Sequence, residues 1–113
     1  MITARFYCKP SNGSIHMTLK GHADAAPKGE DLICSAATML AYTAAQAVQF
    51  LFEQGKLKKK PKIAIKEGEA TIIATPTEDA YAETLHTFWV AQCGIHVLQH
   101  NYPQNVKLEH LKV

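Results

Sequence analysis

Residues 31–55 read DLICSAATMLAYTAAQAVQFLFEQG, and the way this stretch must be packed settles the fold. Asp31 suits a helix N-cap, and the alanine, leucine, methionine and glutamine that follow are strong helix formers. Gly55 and the lysines after it suit a helix end. The stretch predicts one helix from Asp31 to about Gln54. Leu32 to Phe52 carries no charged residue. A membrane span needs about that length, but Ser35, Thr38, Thr43, Gln46 and Gln49 dilute it. The reading is therefore a helix buried over most of its circumference. Ile33, Ala37, Leu40, Ala44, Val48 and Leu51 would lie on a sheet, and the rest would be covered by a second helix or a partner subunit.

The flanking sequence supplies that sheet. Ile2–Cys8 and Ser14–Lys20 alternate apolar and polar residues around Pro10-Ser11-Asn12-Gly13, where Asn-Gly tolerates the positive φ of a tight hairpin. Lys62–Glu67 and Ala70–Thr75 form a second hairpin through Gly68. A second helix is expected from about Glu78 to Gln99. Thr77 would be its N-cap, Glu78 and Asp79 its first turn, and Leu85, Phe88, Gln92 and Ile95 its inner face. Val106–Leu111 alternates again as a last strand. The order ββαββαβ predicts an α+β fold, a single mixed or antiparallel sheet with two helices.

At 113 residues the chain is one domain, 1–113. Apolar residues at 47% and charged residues at 19% are globular composition rather than disorder. The formal charge of +2 is too small to imply a nucleic-acid partner by itself. Met1 runs straight into a strand pattern with no leader-like segment. Cys8, Cys34 and Cys93 form no Cys-x-x-Cys and leave one thiol over under any disulfide pairing. That points to a reducing, cytoplasmic setting.

Chemistry concentrates in residues 21–35, GHADAAPKGEDLICS. A strand ends at Lys20, a loop bounded by Gly21 and Gly29 follows, and the helix opens at Asp31. Cys34 is then the third helical residue, in a first turn whose free amides and dipole favour thiolate. His22 at the strand end could face that turn as base and then acid. The flanking glycines would let the loop move over a bound peptide. Spacing alone leaves other readings open: Cys34 as a small core residue, His22 as a solvated imidazole, and Asp31 as a cap and nothing more.

The same stretch resembles the signature of the ribosomal-processing cysteine proteases of low-GC Gram-positive bacteria. That signature runs Gly-His-Ala, a short loop, Gly-x-Asp, two apolar residues, Cys, small residues and Ser. Here it reads Gly21-His22-Ala23, Gly29-Glu30-Asp31, Leu32-Ile33, Cys34-Ser35-Ala36-Ala37 and Thr38. The motif spans under a fifth of the chain, and element order and length agree over nearly all of it. The resemblance implies a homodimeric cysteine endopeptidase with a His/Cys pair; no cofactor and no metal are expected. Its substrate would be the N-terminal extension of a large-subunit ribosomal protein, the one numbered twenty-seven. By position, His22 would be the general base and Cys34 the nucleophile, with Asp31, Thr38, Gly21 and Gly29 as supporting or substrate-binding positions. Thr38 stands where the family has serine; it keeps a hydroxyl one turn beyond the cysteine and adds a methyl. The loop also departs, with Ala26-Pro27-Lys28 in place of more acidic, glycine-containing versions. No membrane partner and no direct nucleic-acid binding are expected.

Two further clusters stand apart from this motif. Cys93, His96 and His100 fall at helical spacing and could ligate zinc, but a fourth ligand is not evident and Gly94 weakens the helix there. Lys56-Leu57-Lys58-Lys59-Lys60-Pro61-Lys62 is the one concentrated charge run, read as a solvated connection or as an attraction to RNA. The competing function is a non-catalytic ribosome- or RNA-associated module that uses this run.

Overall fold

The computed structural model describes residues 1–24, 26 and 31–110. The elements follow the expected order: β1 (Ile2–Lys9), β2 (Ser14–Lys20), α1 (Leu32–Glu53), β3 (Lys62–Lys66), β4 (Glu69–Ala74), α2 (Tyr81–Asn101) and β5 (Val106–Glu109). The strands form one mixed sheet in the order β3-β4-β2-β1-β5. All neighbours are antiparallel except β1 and β5, which run parallel. A parallel pair needs a crossover, and the chain between β1 and β5 carries both helices across the sheet.

Strand alternation sends Ile2, Ala4, Phe6, Ile15, Met17, Leu19, Ala70, Ile72, Ala74, Val106 and Leu108 to one buried face. Helix α1 lies over the β3–β4 side and α2 over β2, β1 and β5. Phe88, Met17 and Ile72 are fully enclosed between these layers, each contributing about 1.5–3 kcal/mol by leaving water. The expected inner face of α1 is buried at Ile33, Ala37, Ala44, Val48 and Leu51. Leu40 is only partly buried because it turns toward α2, where a Cβ on Gly94 would sit 2.5 Å from its Cδ2. Gly94 is thus a close-packing point between the helices. In α2, Phe88, Gln92 and Ile95 are buried as expected, with Thr84 and Ala91 beside them.

Both ends of α1 obey local rules. The Asp31 carboxylate accepts from the Ile33 and Cys34 amides, each at 3.0 Å. The other end closes through Gly55 N to Phe52 O (3.0 Å) and Lys56 N to Leu51 O (2.9 Å), the paired bonds of a Schellman ending. The start of α2 differs from expectation. The helix begins at Tyr81 with Ala80 in the cap position, not with Thr77 as cap. Residues 75–77 are held against the end of α1 instead: Lys58 N donates to Thr75 O, Thr77 N donates to Lys56 O, and Leu57 bridges Pro76. That extension of the hairpin delays the helix by one turn, Thr77–Ala80. β5 was expected to reach Leu111; it spans Val106–Glu109, and Leu111 lies outside the described residues.

No helix among the described residues is long and apolar enough to cross a membrane. Cys8, Cys34 and Cys93 are all free thiols.

Candidate active site

The end of β2, the start of α1 and the β3–β4 turn meet around a cleft of about 780 Å³. Gly21, His22, Asp31, Cys34 and Thr38 all line it, so five of the six positions singled out in the sequence converge there. Gly29, the sixth, lies outside the described residues. The remaining wall is largely apolar, with Leu19, Ala37, Met39, Tyr42, Ile65 and Ala70, and Glu67 and Glu69 stand at the hairpin side.

Cys34 occupies the third position of α1, as the cap residue predicts. Its half-buried Sγ accepts a hydrogen bond from the Ala23 amide at 3.2 Å. The expectation that this location favours thiolate is not met. Burial pushes the thiol pKa up, the Ala23 amide pulls it down, and the nearby Asp31 and then Asp24 push it up again. Burial is the larger reason, and the cap adds to it. The first-turn amides that were to stabilise a thiolate already bond to a carboxylate, and that carboxylate sets a negative charge beside the sulfur. Asp31 is therefore both the device that starts the helix and a brake on ionisation of Cys34.

His22 follows β2 and is exposed. Its imidazole rests against the β3–β4 turn, where a Cβ on Gly68 would lie 2.8 Å from Nε2. Gly68 has φ +73°, so the turn requires glycine for its backbone and leaves room for the ring by the same absence. Gly21 was expected to serve as a hinge, yet it is tightly held. Its amide donates to Gly68 O at 2.9 Å, and at its φ of +98° a Cβ would collide with the Met1 carbonyl. Thr38 is exposed one turn beyond Cys34, on the helix face that borders the cleft.

Three contributors escaped the sequence reading. Asn105, in the turn before β5, donates from Nδ2 to the Ala23 carbonyl at 2.7 Å, fixing the residue whose amide meets Cys34. Nothing in the sequence ties it to a position 82 residues away. Gly68 was read as a turn residue and not as a seat for His22. Asp24 adopts φ 58° beside the cleft, an uncommon backbone state that Asp tolerates better than most residues. The Cys93, His96 and His100 spacing does not produce a metal site: no group of three or more His, Cys, Asp or Glu able to hold a metal occurs among the described residues.

The cleft thus holds a half-buried thiol at a helix start, with a backbone amide on its sulfur, and an imidazole on the same wall, side-chain types that thiol-dependent hydrolases use. The chain matches the family described as cysteine protease Prp over residues 1–107, and it belongs to that family. Among solved structures it is similar to an essential ribosomal processing protease Prp from S. aureus in complex with a covalently linked product peptide. That likeness has 20% identity and a TM-score of 0.74 and covers 99% of this chain and 100% of the other. The same S. aureus protease with a substrate peptide matches at 18% identity and TM-score 0.67, over 99% and 100% of the two chains. SMU.848 from Streptococcus mutans matches at 22% identity and TM-score 0.68, over 99% and 96%. At these identities the structural likeness speaks for the fold. Comparison with curated proteins gives no match.

Proposed function

We propose that this cysteine protease removes the N-terminal extension of a large-subunit ribosomal protein during ribosome maturation, with Cys34 as nucleophile and His22 as general base. The observation that carries the reading is the convergence of Cys34, with the Ala23 amide on its sulfur, and His22 on one cleft. The names of the S. aureus relatives, a ribosomal processing protease with substrate and product peptides, support ribosomal processing of a peptide; the large-subunit protein and its N-terminal extension rest on the resemblance of the 21–38 motif.

The resting thiol holds its proton, because its pKa is raised. A peptide entering the cleft brings its scissile carbonyl to Sγ, and His22 takes the thiol proton as the S–C bond forms. The Ala23 amide offsets charge on the sulfur during that transfer. His22 then returns the proton to the leaving amine, the C–N bond breaks, and water hydrolyses the thioester with His22 again as base. Asp31 holds the helix start and, after burial, adds to the raised pKa of the thiol. Thr38 presents a hydroxyl to the bound peptide, and Gly21 and Gly29 flank, in sequence, the segment between β2 and α1.

The protein acts in the cytoplasm as a homodimer. Leu32, Met39, Tyr42 and Phe50 on α1 and Trp89, Val90 and Val97 on α2 are exposed apolar residues on the helical layer, and exposed apolar area of that kind marks an interface. Incubation of the purified protein with the ribosomal-protein precursor, read by intact mass, tests the activity. The precursor loses its N-terminal extension with the parent protein and stays whole with Cys34→Ala or His22→Ala, each still folded by circular dichroism. Full cleavage by Cys34→Ala, or no cleavage by the parent, overturns the reading.

A further inference from the structure

The sheet has a second face, which neither helix covers. It presents Arg5, Lys9, Lys20, Lys62, Lys66 and Lys107, all exposed, against two carboxylates, Glu69 and Glu109. The chain as a whole has a formal charge of +2, so the fold has concentrated its cations here. Both carboxylates are taken up within the face: Arg5 Nε pairs with Glu109 at 2.7 Å and Lys66 Nζ with Glu69 at 3.6 Å. Lys9, Lys20, Lys62 and Lys107 have no ion pair among the described residues.

The register shows how these charges are laid out. One cross-strand row runs Lys62, Ile73, His16, Tyr7, and Lys9 lies just beyond Tyr7 on β1. Lys58, Lys59 and Lys60 continue from the same end, held there by Lys58 N to Thr75 O and the Leu57–Pro76 bridge. The lysine run of the sequence is thus joined to the sheet face at the end away from Gly68, His22 and the cleft. Lys62 and Lys107 sit on the two edge strands, whose axes lie four strand spacings or about 19 Å apart, in different rows: Lys107 shares its row with Thr3, Lys20, Glu69 and Lys66. Lys9 also helps burial hold His16 neutral by lowering its pKa, which marks the same positive field.

We infer that this open sheet face is a docking surface for the phosphate backbone of RNA. The choice of RNA over other polyanions rests on the reading of the chain as a protease of a ribosomal protein, whose substrate is delivered in an RNA-rich setting. Recognition is by charge and not by base. Tyr7 is stacked on His16 with centroids 4.5 Å apart, and the Arg5 guanidinium lies 5.5 Å from its ring centroid. The rings of this face are already engaged within the protein, and binding is sequence-independent.

The test is fluorescence anisotropy with a mixed-sequence 20-base-pair RNA duplex across a salt series. Lys9, Lys20, Lys62 and Lys107 together with Lys58, Lys59 and Lys60 give a log–log salt slope of roughly −6, or a loss of affinity of several thousandfold between 50 and 200 mM salt. The variant Lys9→Gln/Lys62→Gln/Lys107→Gln brings the slope to about −4 while peptide cleavage stays at the parental rate. Gln54→Glu/Ala82→Glu/Gln104→Glu changes net charge equally from elsewhere on the surface and keeps most of the affinity. No binding at 50 mM salt, equal losses in the two triple variants, or equal competition by polyglutamate at matched charge each overturns the proposal. RNA binding and peptide cleavage are read separately, so loss of one reading leaves the other standing.

Discussion

Replacing Asp31 separates its two roles. Its Oδ1 accepts from two first-turn amides at 3.0 Å, and its charge sits beside Cys34. Asparagine offers the same carbonyl acceptor and caps helices about as well as aspartate, whereas alanine offers none and costs about 1 kcal/mol. In a domain of this size 1 kcal/mol is roughly 4 °C in Tm. Asp31→Asn is therefore expected to unfold within about a degree of the parent and Asp31→Ala about 4 °C lower. The thiol responds differently. Asp31 raises the Cys34 pKa by charge and by hydrogen bonding, after the larger effect of burial. Removing the charge lowers that pKa in Asp31→Asn, and the sulfur ionises at lower pH than in the parent. The measurement is the rate of iodoacetamide labelling of Cys34 against pH, read by peptide mass, beside thermal unfolding. A labelling midpoint unchanged or higher in Asp31→Asn refutes the electrostatic argument. A Tm loss equal in the two variants refutes the capping argument.

Gly68→Ala places a methyl 2.8 Å from His22 Nε2 in a turn residue at φ +73°. The left-handed backbone costs about 1–2 kcal/mol, and the imidazole is displaced, so peptide cleavage falls at least tenfold while the circular dichroism spectrum is kept; parental activity would show that His22 needs no seat there. Asn105→Ala frees the Ala23 carbonyl, loosens the amide on Cys34 and moves the thiol's labelling midpoint to higher pH; an unchanged midpoint removes Asn105 from the site. His16 is buried and its pKa lies below the usual histidine value, first through burial and then through Lys9. The unfolded chain takes up this proton near pH 6.5 while the folded chain does not, so stability falls as pH drops below that value. Denaturant unfolding at pH 7.5 and 5.0 should show the loss, and His16→Gln should shrink it; greater stability at pH 5.0 would contradict the assignment.

The elements of this protein are written locally. Alternation in Ile2–Lys9 and Ser14–Lys20, the uncharged run after Asp31 and the glycine at 55 each act within a few residues, and strands, helix and cap follow from them. That His22 and Cys34 line one cleft was legible for a related reason: a short loop joins a strand end to a helix start, so both ends of one motif return to the same place. Helix α2 was read one turn early because hydrogen bonds from Thr77 N to Lys56 O and from Lys58 N to Thr75 O hold residues 75–77, and these partners lie on the far side of a hairpin. The proton affinity of Cys34 depends on where the Asp31 carboxylate, the Ala23 amide and the surrounding burial fall in space. Asn105 reaches Ala23 only because β5 lies parallel to β1. The division of charge between the helical layer and the open sheet is likewise invisible in a net charge of +2. Periodicity and caps are short-range and survive in one dimension. Desolvation, charge–charge coupling and contacts across the sheet depend on distances that only the folded chain sets.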